Sequence, residues 1–129
     1  MCEYRVARPA VALIMIGTND IPLRVDDSTY RQNLETIVRI SADFGVIPVL
    51  STIPDNLTNP DDSERVHTLN AIIRDVAASA DVPLWDYWLA LQGLPNKGLA
   101  ADNYHPSGGP VPGATATFTP ATVLSRNGR

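Results

Sequence analysis

Short apolar runs alternate with amphipathic stretches along this chain. That alternation is the signature of βα units built on a parallel sheet. The first run, Ala10-Val-Ala-Leu-Ile-Met-Ile16, follows Pro9 and ends at Gly17. Its length and branched residues predict a strand buried on both faces. Residues 29–44 predict a helix, because Tyr30, Leu34, Ile37, Val38, Ser41 and Phe44 recur at helical spacing. Ser28 or Asp27 supplies its cap, and Gly45 suits the position just past its end. Residues 46–53 predict the second strand, with Pro48 near its start because proline has no N–H for a ladder. A second helix is expected over 61–80, capped by Asp61 or Asp62, with Val66, Leu69, Ile72, Ile73, Val76 and Ala80 on its apolar face. Residues 82–87 predict a third, shorter strand, and 88–94 a short helix ended by Pro95. From Gly108 onward the Gly, Pro, Thr and Ala content predicts an extended or disordered tail over 108–129.

A chain of 129 residues is one domain of common size, enough to bury ~65% of its unfolded surface. With 44% apolar and 19% charged residues, it has neither a disordered nor a fibrous composition. A net charge of −4 without a basic stripe argues against nucleic acid as a partner. His67, His105 and Cys2 are the soft metal-ligand candidates, and their wide separation predicts no metal site. The lone Cys2 forms no internal disulfide, so the redox compartment stays open. No apolar run approaches the ~20 residues of a membrane span. The N-terminus also lacks the basic, apolar and small-residue order of a signal peptide, and localisation is undetermined.

Two short motifs carry chemistry. Gly17-Thr18-Asn19-Asp20 follows directly on the first predicted strand, at the carboxyl edge where parallel sheets bind ligands. Asp102-Asn103-Tyr104-His105-Pro106 follows the last strand and its extension, which can return to that edge. The Asn19 amide is a neutral donor suited to an oxyanion on a tetrahedral carbon. His105 is the residue type that takes and returns a proton at neutral pH. One turn places Asp102 against its ring, fixing the tautomer and stabilising the imidazolium. Pro106 stiffens the backbone after the histidine and biases His105 away from the helical region.

In their order, spacing and intervening βα units, residues from about 8 to 107 resemble the SGNH (GDSL-type) hydrolases, which pair a Gly-x-Asn-Asp block with a later Asp-x-x-His block. The resemblance implies an α/β fold: a flavodoxin-like three-layer α/β/α parallel sheet, here with its N-terminal strands missing. It implies hydrolysis of ester or acyl bonds by a Ser-His-Asp mechanism, without metal or organic cofactor, on a small-molecule ester or acylated carbohydrate. By the same resemblance Asn19 is an oxyanion donor, His105 the base and then acid, and Asp102 its orienting partner. Asp20 and Gly17 are supporting residues, an acceptor and a turn residue. Members of the family are often secreted.

The chain departs from that pattern in three respects. The family's Gly-Asp-Ser nucleophile turn, and a second block whose Gly N–H joins the oxyanion hole, have no counterpart here. Cys2 and Ser28, Ser41, Ser51, Ser63, Ser79, Ser107 and Ser125 lack the strand–turn setting of a nucleophile. The final amphipathic helix that the resemblance implies has no counterpart either. The expectation is a partial domain over 1–107, inactive alone, whose first strand is left as an exposed apolar edge. A non-catalytic carbohydrate- or protein-binding module on a reduced α/β scaffold is the competing reading. An unrelated flavodoxin-like domain is disfavoured, since no Gly-rich phosphate loop follows a strand. Among the remaining residues His67 is expected on a solvated helix face. Trp85, Tyr87 and Trp88 are expected in core packing, and Asp86 as a strand-end polar residue.

Overall fold

The computed structural model describes residues 6–107. Three parallel strands run in the order β1 (Val11–Ile14), β2 (Ile47–Ser51) and β3 (Leu84–Trp85). Two long helices make the crossovers: α1 (Asp27–Asp43) joins β1 to β2, and α2 (Pro60–Ser79) joins β2 to β3. A short helix, α3 (Tyr87–Leu91), and a 3-10 turn over Pro95–Gly98 follow. The chain is therefore an α/β protein on a small parallel sheet.

The helix caps differ from expectation by one or two residues, for a local reason. Asp26, not Asp27 or Ser28, caps α1: its extended backbone lets the carboxylate accept the Thr29 N–H at 2.9 Å. The Ser28 hydroxyl donates to the same carboxylate, so it supports the cap rather than forming it. Asn59, not Asp61 or Asp62, caps α2 by accepting the Asp62 N–H at 2.8 Å, and Pro60 begins the helix where a missing N–H costs nothing. Asp86 is more than a strand-end polar residue. It caps α3 through the Leu89 N–H, takes both ends of the Arg74 guanidinium and accepts the Thr52 hydroxyl. Pro83 precedes β3 and the Asp86 cap follows it, which leaves two residues for the strand.

Tyr30, Leu34 and Val38 of α1 meet Val66, Leu69, Ile73 and Val76 of α2 over Leu50 and Ile53. Each such aliphatic burial contributes about 1.5–3 kcal/mol. Ala80 and Phe44, assigned to apolar faces by spacing, instead cap the helix ends and are exposed. Asn70 enters the core among these residues, its amide pairing with both the N–H and the carbonyl of Ile53 at 2.8 and 2.9 Å.

The expectation that the first strand is buried on both faces does not hold. Register puts Ala12 and Ile14 beside Pro48 and Leu50, and Ile14 and Leu50 belong to the packed side. Val11 and Leu13 fall on the opposite face beside Ile47 and Val49, and they are 51% and 57% exposed. β1 is also one of the two edges of this sheet, beside β2 alone. Trp85 is exposed rather than in the core and lies against Tyr87, with ring centroids 5.0 Å apart. Trp88 does pack against the core, under the Arg74 guanidinium. His67 is exposed, as its helix face predicts, and its ring meets the Trp88 ring edge-on.

Candidate active site

Gly17 turns the chain off β1 at φ +123, a conformation that side chains resist. Space also demands glycine there, because a Cβ would come 2.7 Å from the Tyr30 hydroxyl. That hydroxyl donates to the Ile16 carbonyl at 3.0 Å, so α1 clamps the end of the strand. Burial, and then the negative charge of Asp20, push the Tyr30 phenol up, which keeps it a donor at any ordinary pH. Thr18–Asp20 form one 3-10 turn, closed by the Asp20 N–H on the Gly17 carbonyl at 3.0 Å. Asn19 is exposed on this turn. The backbone carbonyl of Asp20 takes the Val25 N–H at 3.2 Å. A cleft of about 330 Å³ lined by Ile16, Asp20, Tyr30, Asn33, Thr36 and Ile37 adjoins the turn.

The second motif lies on a loop folded back on itself. Leu99 pairs antiparallel with Pro106, and the Ala100 N–H donates to the His105 carbonyl at 2.8 Å. Ser107 closes the base, giving both its N–H and its hydroxyl to the Gly98 carbonyl. At the tip one Asp102 oxygen accepts the Tyr104 and His105 N–H groups, each at 3.0 Å. The other faces His105 Nδ1 at 2.8 Å. The His105 hydrogen bond, followed by the two backbone bonds, holds the Asp102 carboxyl down at about 2. An ionised carboxylate only accepts, so Nδ1 carries the hydrogen and Nε2 is the free basic nitrogen. The His105 side chain is 70% exposed.

The two motifs meet. Tyr104, between Asp102 and His105, reaches across 86 positions of sequence, and its hydroxyl donates to the Thr18 carbonyl at 3.4 Å. Its ring stands edge-on to the His105 imidazole at 4.7 Å. The loop carrying Asp102 and His105 is thereby joined to the turn carrying Asn19. Reasoning from sequence missed Tyr30 and Tyr104 as the residues that fix these loops. Tyr30 reads as one more apolar position of an amphipathic helix, whereas a phenol inside the Asp102–His105 motif was a usable signal.

The described serine hydroxyls with visible partners are engaged in structure. Ser28 bonds Asp26, Ser41 the Ile37 carbonyl, Ser51 the Thr52 carbonyl and Ser107 the Gly98 carbonyl. Cys2, Ser125 and the tail over 108–129 lie outside the described residues.

Residues 4–108 match the model of the GDSL-like lipase/acylhydrolase family. The chain belongs to this family. Solved structures agree on the fold. A lipase/acylhydrolase from Enterococcus faecalis superposes with a TM-score of 0.68 at 28% identity, covering 81% of this chain and 56% of its own. A GDSL-like lipase from Bacteroides thetaiotaomicron gives 0.70 at 19% identity, covering 83% and 60%. A variant acetyl xylan esterase from Geobacillus stearothermophilus gives 0.65 at 20% identity, covering 82% and 58%. The chain thus spans 56–60% of the length of these GDSL-like relatives. No curated protein matches it. Among the described residues no helix is long and apolar enough to cross a membrane.

Proposed function

We propose that this chain carries the base and oxyanion side of a serine acyl-hydrolase site acting on a small-molecule ester or acylated carbohydrate. His105 Nε2 takes the proton of an attacking hydroxyl and later returns it to the leaving alkoxide. Asp102 holds the ring in the required tautomer and stabilises the imidazolium. The Asn19 amide donates to the oxygen that becomes negative when the ester carbonyl turns tetrahedral, a contribution of about 3 kcal/mol. A second round, with water in place of the alkoxide, releases the acid. The observation that supports this reading best is the 2.8 Å Asp102–His105 contact on a loop bonded back to the Asn19 turn.

The attacking hydroxyl is not supplied by these 129 residues, which contain no Gly-Asp-Ser turn. Loss of a triad nucleophile costs ~10⁶-fold in kcat, so the chain alone should show no hydrolysis above buffer. The test is to place the first strand and Gly-Asp-Ser turn of a family member ahead of residue 6 and to assay a nitrophenyl acetate. Hydrolysis by the chimera and none by the 129-residue chain is expected. Equal hydrolysis by both would contradict the proposal.

A further inference from the structure

We infer that Asp55, a buried acid outside both motifs, is a positioning residue that sets where His105 stands by gripping the base of its loop from the end of β2. The inference concerns the placement of the loop, and its bearing on catalysis rests on the hydrolase reading above.

The side chain of Asp55 is 0% exposed, four residues beyond β2. Acids are almost never fully buried unless paired, and this one has chosen partners. Lys97 Nζ stands 3.1 Å from Oδ2, and the Gln92 amide donates to the same oxygen at 2.9 Å. The Trp88 indole N–H also bears on the carboxylate, without meeting it in a well-formed hydrogen bond. Burial pushes the Asp55 carboxyl up, but the contacts with Gln92 and Lys97, the nearby Trp88 N–H and the Lys97 charge outweigh it. The group therefore lies below the usual carboxylate range.

All three partners come from the segment that leads into the His105 loop. Lys97 matters most, because it sits in the Pro95–Gly98 turn with φ +50, beside Asn96 at φ +49. Two adjacent left-handed side-chain residues are held only where surrounding contacts determine them. Those contacts are the buried carboxylate on Lys97 and, on Asn96, an amide that reaches the Leu99 and Ala100 carbonyls and the Asn103 side chain. Gly98 follows with no room for a Cβ, which would come 2.9 Å from Leu91. The turn then passes directly into the Gly98–Ser107 and Ala100–His105 bonds. A second tether runs from the same β2 extension, the Leu57 N–H donating to the Asn103 carbonyl at 2.9 Å. Asp102 and His105 are themselves exposed and have no core packing to locate them. Their contact with each other is local and survives wherever the loop goes. Their place relative to Thr18 and Asn19 depends on the base.

The test uses the 129-residue chain with two variants, Asp55→Asn and Lys97→Met, read by NMR and amide hydrogen exchange. In both, the Ala100 and Ser107 amides should exchange at least tenfold faster. The through-space signal between the Tyr104 ring and Thr18 should disappear, while the Leu50 and Ile53 amides stay protected. Lys97→Arg should restore the loop signals, which a general loss of stability would not explain. If Asp55→Asn fails to fold, Lys97→Met decides. Retention of the Tyr104–Thr18 signal and of loop protection in a folded variant overturns the inference. Since none of these readouts involves ester hydrolysis, failure of the hydrolase reading would show separately, in the chimera.

Discussion

The Tyr104 hydroxyl donates to the carbonyl of Thr18, and this bond joins the Asp102–His105 loop to the turn that carries Asn19. At 3.4 Å it is long for a hydroxyl donor, and such bonds stabilise weakly. Tyr104→Phe should therefore cost only about 0.5 kcal/mol, the low end for a hydrogen bond, in urea unfolding. The amides of Tyr104 and His105 should nevertheless change position in the NMR spectrum. A larger global loss would mean that the phenol does more than tie the loops.

Gly17→Ala should destabilise the fold by about 1–3 kcal/mol, the cost of forcing a side chain into a left-handed turn. Part of that cost comes from collision with the Tyr30 hydroxyl. In a Tyr30→Phe background the same change should thus cost less, although the ring carbons still stand 3.2–3.3 Å from the added Cβ. A double-mutant cycle by chemical denaturation measures the difference, and strict additivity would remove Tyr30 from the explanation.

Asn70 predicts the largest single loss. Its amide satisfies both backbone groups of Ile53 inside the core, so Asn70→Ala leaves a buried N–H and a buried carbonyl without partners. Each such group costs about 1–3 kcal/mol, giving a drop of several kcal/mol in urea unfolding. Asn70→Asp should not rescue it, because a carboxylate accepts the Ile53 N–H but only repels the Ile53 carbonyl.

The loop should respond to acid before the core. The carboxyl of Asp102 lies at about 2 in the folded chain against an ordinary 3.8, so it binds protons less readily when folded. Its contribution is complete above about pH 4 and disappears as pH falls toward about 2. Asp55 is shifted in the same direction and adds to the same loss. Amide exchange followed from pH 5 to pH 2 should show Tyr104, His105 and Ala100 losing protection while Leu50 keeps it. Uniform loss across the chain would contradict this order.

Much of this architecture was legible from patterning. The apolar positions Tyr30, Leu34, Val38, Val66, Leu69, Ile73 and Val76 face the core because 3.6-residue periodicity survives folding unchanged. The caps were misplaced because a run of Asp, Asp and Ser offers several equivalent side chains, and backbone φ/ψ at Asp26 chooses among them. The exposure of Val11 and Leu13 was not anticipated, since an apolar run reads the same whether one face of its strand or both are covered. For the site, spacing alone put Asp102 within reach of His105. Asp55 was invisible. Nothing local separates a buried acid from a loop acid, and its partners lie 37 and 42 positions away, at Gln92 and Lys97.

Whether the Asp102–His105 pair runs the ester chemistry is decided by the rate of nitrophenyl acetate hydrolysis in the nucleophile-bearing chimera with His105 or Asn19 replaced by Ala. His105→Ala should lower kcat by ~10⁴-fold or more, and Asn19→Ala by ~10²–10³-fold. KM should stay within a few-fold of its starting value in both. An active chimera whose rate is unchanged by His105→Ala would show that its ester chemistry does not run through the Asp102–His105 pair.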